Sequence, residues 1–184
     1  MWKDAALERR VTHEQIMMMD KDNSITIDYS NPSFNKNGEM PQSFTVLRAV
    51  FDEWFAAKAE EKGAVIACGI KVDGLIEKDG RITGVRAGGD EMYADLVIAA
   101  DGVNSMIARE AGLVPELSDE TIGVGVKEII ELPAKIIEER FHLKPGEGAS
   151  LLMIGCTEGI HGGGFLYTNN ESISLGSVFT PSEA

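Results

Sequence analysis

Residues whose type and spacing could do chemistry are few in this sequence. The densest cluster is Gly159-Ile160-His161-Gly162-Gly163-Gly164. Glycine backbone can lie against a flat ring or a phosphate. Phosphate binding of the dinucleotide type also needs a helix tip behind the loop, and no helical period follows Gly164. That use of the cluster is excluded. His161 has the chemistry to pass a proton to a reduced acceptor, but a solitary histidine in a glycine loop is expected to be solvated. Cys68 and Cys156 show neither redox nor metal-ligand spacing and are expected to be buried thiols in a reducing cytosol. The histidines add no metal motif. There is no P-loop, no His-Glu-x-x-His and no nucleophile elbow. No catalytic acid, base or nucleophile and no metal site emerges.

Bulk composition narrows the classes. The chain has 184 residues, 43% hydrophobic and 7% aromatic, which suits one globular domain or pieces of two. Thirty acidic residues against 17 basic give a net charge of -13. Nucleic-acid binding relies on Lys and Arg at phosphates and is disfavoured, as is electrostatic attachment to an anionic membrane. No apolar run approaches the roughly 20 residues that span a bilayer, and Met1-Trp2-Lys3-Asp4 does not open a signal peptide. A soluble, cytoplasmic protein is expected.

The elements that must position any site follow from periodicity. Met17-Met18-Met19 reads as core filling. Ser24 to Ser30 alternates, with Ile25, Ile27 and Tyr29 on one face of a half-buried strand; residues 31–42 form a turn-rich loop. Leu47, Val50, Phe51, Trp54 and Phe55 make the stripe of a helix that Ser43 or Thr45 can cap and Gly63 stops. Lys58 interrupts the stripe, its stem packing while its head reaches water. Ala64-Val65-Ile66-Ala67-Cys68 and Leu96-Val97-Ile98-Ala99-Ala100 read as buried strands. Between them lies a β-meander, Val72 to Glu77, Arg81 to Arg86 and Glu91 to Ala94, turned at Asp79-Gly80 and Gly88-Gly89. A helix near Ser105 to Glu110 follows. Beyond it come alternation at Ile122, Val124 and Val126, a helix over Ala134 to Phe141 behind Pro133, and strands at Ala149 to Ile154, Gly163 to Thr168 and Ser172 to Phe179. The class is α/β, α+β overall. Residues 41–114 are expected to form one domain, with 1–40 and 115–184 sharing an antiparallel or mixed sheet around it; a linear split into two sequential domains is the alternative.

This order resembles the middle of a flavoprotein dinucleotide-binding domain. Val46-Leu47-Arg48-Ala49-Val50-Phe51-Asp52-Glu53-Trp54-Phe55 with Ala59-Glu60-Glu61-Lys62-Gly63-Ala64 is similar to a stretch of FixC and electron-transfer-flavoprotein:quinone oxidoreductases. Ala94-Asp95-Leu96-Val97-Ile98-Ala99-Ala100-Asp101-Gly102-Val103-Asn104-Ser105 is similar to that family's Asp-Gly segment. Leu7 to Thr12, Gly125 to Glu128 and Gly162 to Thr168 resemble FixC-like sequences too. The resemblance implies a partial FAD-binding, Rossmann-like domain with its meander (41–114), plus part of a substrate or quinone domain sheet.

By that resemblance, Arg48 approaches the FAD diphosphate, where its fork can meet two oxygens; the ordinary alternative is an i,i+4 pair with Asp52. Val72 contacts the adenine side through its backbone. Asp101 and Gly102 stand where a strand hands over to a helix, the ligand edge of an open α/β sheet; Asp101 could equally cap that helix. Gly162 and Gly163 match glycines lining a quinone pocket, a β-bulge or sheet bend being the rival explanation. Tyr167 faces the pocket or simply packs.

Departures from the family are as informative. The chain has no Gly-x-Gly-x-x-Gly between a strand and a helix, no later Gly-Asp segment for the ribityl chain, and nothing to ligate an iron-sulfur cluster. It is therefore expected to be an inactive, colourless piece of an FAD-dependent oxidoreductase that does not itself retain FAD. The parent would take electrons from an electron transfer flavoprotein towards quinone, another small apolar acceptor or a ferredoxin-like partner, at the inner face of the membrane. The alternatives are a geranylgeranyl-reductase-like flavoenzyme and a flavin-free binding module. Unpaired strand edges also suggest a homodimer.

Overall fold

The computed structural model describes residues 4–30 and 43–183; the loop expected at 31–42 lies outside them. The chain divides into two units, Met1–Gly63 with Asp119–Ala184, and Ala64–Ser118.

The first unit is built on a six-stranded sheet. Its strands are β1 (Arg10–Met19), β2 (Ser24–Ser30), β6 (Val124–Glu131), β7 (Glu147–Ile154), β8 (Gly162–Thr168) and β9 (Ser172–Phe179), in the order β2-β1-β7-β8-β9-β6. All neighbours run antiparallel except β1 and β7, which pair parallel from Arg10↔Glu147 to Met18↔Ile154. That one pairing joins the two sequence segments into a single mixed sheet.

One face of this sheet carries α3 (Ala134–Arg140), which begins after Pro133 at the position where a missing N–H costs nothing. Ile137 of α3 is fully buried and packs with Leu143 and Ala149; Leu132, Phe141 and Ile173 close around them. Beside this core lies a buried polar network centred on Arg9, which is 2% exposed. Its Nη1 donates to Glu138 Oε1 and to the Glu147 carbonyl, both at 3.0 Å. Its Nε donates to the Asn169 carbonyl and its Nη2 to that of Asn170. A guanidinium so placed ties β1, α3, β7 and the β8–β9 turn together.

The opposite face is open. Register puts Ile25, Ile27 and Tyr29 of β2, Ile16 and Met18 of β1, Leu152 and Ile154 of β7, Phe165 and Tyr167 of β8, Val178 of β9 and Ile129 of β6 on one side. Most of these side chains are about half exposed, including Ile16 at 46% and Leu152 at 52%. The strand expected at Ser24 to Ser30 is present, but it is an exposed edge strand, not a half-buried one, because only β1 flanks it. The methionines likewise fall on a strand, where they alternate between faces, and Met18 is 49% exposed.

The first unit also contains α1 (Arg48–Glu60). Neither Ser43 nor Thr45 caps it. Leu47 is the N-cap, and the Thr45 hydroxyl is used instead to donate to the Thr168 carbonyl at 2.8 Å and to accept from Arg9 N–H. A buried hydrogen bond there outweighs a solvent-exposed cap. No residue of α1 is buried, and its aromatic stripe stacks on itself, Phe51 against Trp54 at 5.5 Å and Phe55 at 6.0 Å. Lys58 pairs with Glu61 at 2.9 Å and Asp4 at 3.5 Å, and the turn reaches Gly63 at φ 97°.

The second unit is the meander β3 (Val72–Lys78), β4 (Arg81–Ala87) and β5 (Asp90–Tyr93), with α2 (Met106–Glu110) beside β3. Asp79 and Gly80 both take positive φ, 53° and 73°, the pair that a two-residue hairpin matched to strand twist requires. Glu110 anchors α2 to the meander by accepting from Leu75 N–H at 2.9 Å.

Residues 64–68 and 96–100, expected as buried strands, form no strand among the described residues, and Val65 and Ile98 are 94% and 79% exposed. Their composition is that of central strands, but a central strand exists only with a ladder partner on each side, and no described strand pairs with either run. The expectation of buried thiols falls with them. Cys68 lies in the first run and Cys156 in the turn after β7; both are free and exposed. No helix among the described residues is long and apolar enough to cross a membrane.

Candidate functional site

In the first unit the glycine cluster opens β8. Gly162 and Gly163 line an apolar cleft of about 450 Å³ with Leu152, Ile154, Phe165 and Val178 among its walls. The same glycines are demanded by the sheet. A Cβ on Gly162 would strike the Val178 carbonyl oxygen, and one on Gly163 would lie 2.6 Å from the Met153 carbonyl oxygen. Close strand approach and an open, ring-sized hollow therefore coincide at these two positions. His161 is exposed at the mouth of that cleft and also borders a neighbouring hollow with Glu120, Thr121 and Ser182.

Tyr167 lies four residues along β8 from Gly163, on the same sheet face. Its oxygen receives a hydrogen bond from Lys127 Nζ at 2.7 Å, and the ammonium lies 5.2 Å from the ring centroid. Phe165 stacks beside it at 6.1 Å. Burial pushes the phenol up, but the bonds from Lys127 and Ser174 and the Lys127 charge outweigh it and hold Tyr167 below the ordinary tyrosine value. Tyr93 is shifted the other way, because the Glu91 carboxylate accepts its hydroxyl at 2.6 Å. Replacing Lys127 with Met should move the Tyr167 titration upward, since it removes the donor and the positive charge together. A tyrosinate absorbance titration in a Tyr29→Phe, Tyr93→Phe background checks this; an unchanged midpoint would show that Lys127 does not set it.

Arg48 opens α1 with its side chain 74% exposed, forked onto Asp52 through Nε to Oδ1 and Nη2 to Oδ2, both at 2.8 Å. Hydrogen bonding from that guanidinium holds the Asp52 carboxyl below the usual carboxylate range.

In the second unit Val72 is the first residue of β3, paired with Ala87 and 38% exposed. Ser105 is the N-cap of α2, not Asp101; Asp101 Oδ2 instead reaches the helix's first turn and accepts from Ile107 N–H at 2.8 Å. Gly102 has φ 76°, with no atom within 4 Å of where a Cβ would stand. The Ser105 hydroxyl donates to its carbonyl.

Lys127 and Arg9 were not singled out by sequence. Lys127 falls in the period-two alternation of β6, so its face is legible, but its proximity to Tyr167 depends on β9 lying between β8 and β6. No group of metal-ligating side chains is assembled among the described residues.

No protein-family model matches the chain. It is 44% identical over 177 residues, 96% of its length, to the protein FixC of Escherichia coli O157:H7. The chain is similar to FixC over nearly all of its own length. It is also 43% identical, over 95% of its length, to "Probable electron transfer flavoprotein-quinone oxidoreductase" of Escherichia coli strain K12. The chain spans 41% and 40% of the lengths of these relatives. Among solved structures it resembles a geranylgeranyl bacteriochlorophyll reductase-like protein from Thermoplasma acidophilum, with TM-score 0.70, 20% identity, and coverage of 95% of this chain and 41% of that one. A myxobacterial chondrochloren halogenase, described as a variant of FAD-dependent halogenases, follows with TM-score 0.63, 18% identity, and coverage of 98% and 39%. At these identities the structural likeness establishes the fold, the α/β architecture expected from sequence.

Proposed function

We propose that this chain is part of an FAD-dependent oxidoreductase that takes electrons from an electron transfer flavoprotein and passes them towards quinone or a ferredoxin-like acceptor on the cytoplasmic side of the membrane. The observation that carries this is the coincidence of the FixC-like sequence with an uncovered apolar sheet face holding Gly162, Gly163 and Tyr167. Such a face suits a flat, apolar acceptor better than a polar substrate. Residues 41–114 would supply the flavin's binding and 1–40 with 115–184 the acceptor's. Exposed sheet edges would allow a homodimer.

Each candidate residue, taken within its own unit, has chemistry that suits FAD. Arg48 has an exposed fork able to exchange Asp52 for two phosphate oxygens. Asp101 keeps Oδ1 for a ribose hydroxyl while Oδ2 accepts from Ile107 N–H, Gly102 leaves open space for close approach, and Val72 offers backbone at a strand start. Bound flavin would supply the two-electron chemistry; this chain would supply binding and orientation.

The test is a chimera in which these 184 residues replace the matching part of Escherichia coli FixC. It is expected to purify with flavin absorbance, and Arg48→Ala in it to weaken FAD binding by about tenfold or more, the worth of a charge-assisted pair. A chimera that folds without taking up FAD would sink the proposal. A second reading, a reductase acting on prenyl chains, is favoured by the likeness to the Thermoplasma protein. A chimera that reduces long prenyl double bonds and no quinone would favour it.

A further inference from the structure

Resting on the apolar-acceptor reading above, we propose that Tyr167, held by Lys127, is the polar anchor of that site, donating a hydrogen bond to a carbonyl oxygen of a ring-shaped apolar ligand. Lys127 Nζ is an ammonium and can only donate, so at 2.7 Å it takes a lone pair of the phenol oxygen and leaves the phenol hydrogen for an acceptor. Ser174, fully buried opposite Tyr167 on β9, accepts from Asn169 Nδ2 at 3.2 Å. A charged donor on the phenol oxygen makes its O–H a stronger donor in turn.

The placement matches a ligand. Phe165 stacks beside Tyr167, with Leu152 opposite it on β7 and Ile129 on β6, so an apolar ring could lie on the hydrocarbon while one oxygen reaches the phenol. The other charged groups that register places on this face near Tyr167 are Glu131 on β6 and Glu14 on β1. Neither can donate when ionised. Tyr167, polarised by Lys127, is therefore the donor a carbonyl would meet. Lys127 is a positioning residue and Tyr167 the contact.

The experiment titrates the chain with duroquinone, whose fully methylated ring cannot add the exposed thiols of Cys68 and Cys156, and with p-xylene, which lacks oxygen. Shifts of Phe165 and Leu152 are followed by NMR. Duroquinone is expected to bind about five- to tenfold more weakly to Tyr167→Phe, the worth of one hydrogen bond, and measurably more weakly to Lys127→Met. Binding of p-xylene should be the same in all three proteins. Equal duroquinone binding by the wild type and Tyr167→Phe would overturn the anchor while leaving the apolar site standing. No perturbation of Phe165 or Leu152 by either probe would overturn the anchor and the acceptor site together.

Discussion

Arg9→Met should destabilise the first unit by about 3–5 kcal/mol, the usual cost of removing one partner from a buried charge network. Equilibrium urea unfolding followed by far-UV circular dichroism measures it. The loss is large because four acceptors on three sequence-distant segments turn to one guanidinium: Glu138 Oε1 and the carbonyls of Glu147, Asn169 and Asn170. Methionine keeps much of the volume and none of the five donors. The Glu147 and Asn169 carbonyls would then lose a buried donor, at about 1–3 kcal/mol for each group that water cannot reach, while that of Asn170 lies nearer solvent. Arg9→Lys should recover little, because one ammonium cannot reach acceptors arrayed around a planar fork. A change below about 1 kcal/mol would mean that water replaces the guanidinium and that the network is not structural. For a domain with a total stability of about 5–15 kcal/mol, the expected loss is a large share of it.

Ile137→Ala should cost about 2–5 kcal/mol by the same measurement. Ile137 is fully buried, and Leu143, Ala149, Phe141 and Ile173 hold the space its side chain fills. Collapse around the cavity is limited, since Ala149 and Ile173 are fixed in β7 and β9 by their ladders. The double substitution should cost less than the sum of the two. Glu138, the neighbour of Ile137 on α3, is the side-chain partner of Arg9, so either change loosens the same short helix. Strict additivity would show instead that α3 is docked by the two residues independently.

What could be read beforehand followed from local signals. The Asp79-Gly80 hairpin, the strands β7 to β9 and the helix after Pro133 are written in turn chemistry and in periods of two and 3.6. Long-range pairing is not written that way. Residues 64–68 and 96–100 have the composition of central strands, yet composition does not provide the ladder partners that make one. Thr45 is a good cap by type, but Thr168, more than a hundred residues away, is its partner. At the candidate site, Tyr167 and the paired glycines were found through resemblance, and Asp101 through its place between an apolar run and a helix. Lys127 was missed because its approach to Tyr167 is created by the strand order β8-β9-β6, which nothing local specifies.

The parallel pairing of β1 with β7 has a consequence for how the polypeptide is born. On the ribosome, the hairpin of β1 and β2 can close early and Arg10 can bridge to Phe44, but the rest of β1 has no strand on its other side until β7 has been synthesised. Until then Ile16, Met18, Ile25 and Ile27 sit on a two-stranded ribbon, and such a ribbon is at best marginally stable in water. The Arg9 guanidinium waits as long, since its acceptors run from Glu138 to Asn170. The nascent β1–β2 ribbon is thus a natural client for chaperones, and translation that pauses before β7 would favour aggregation over folding.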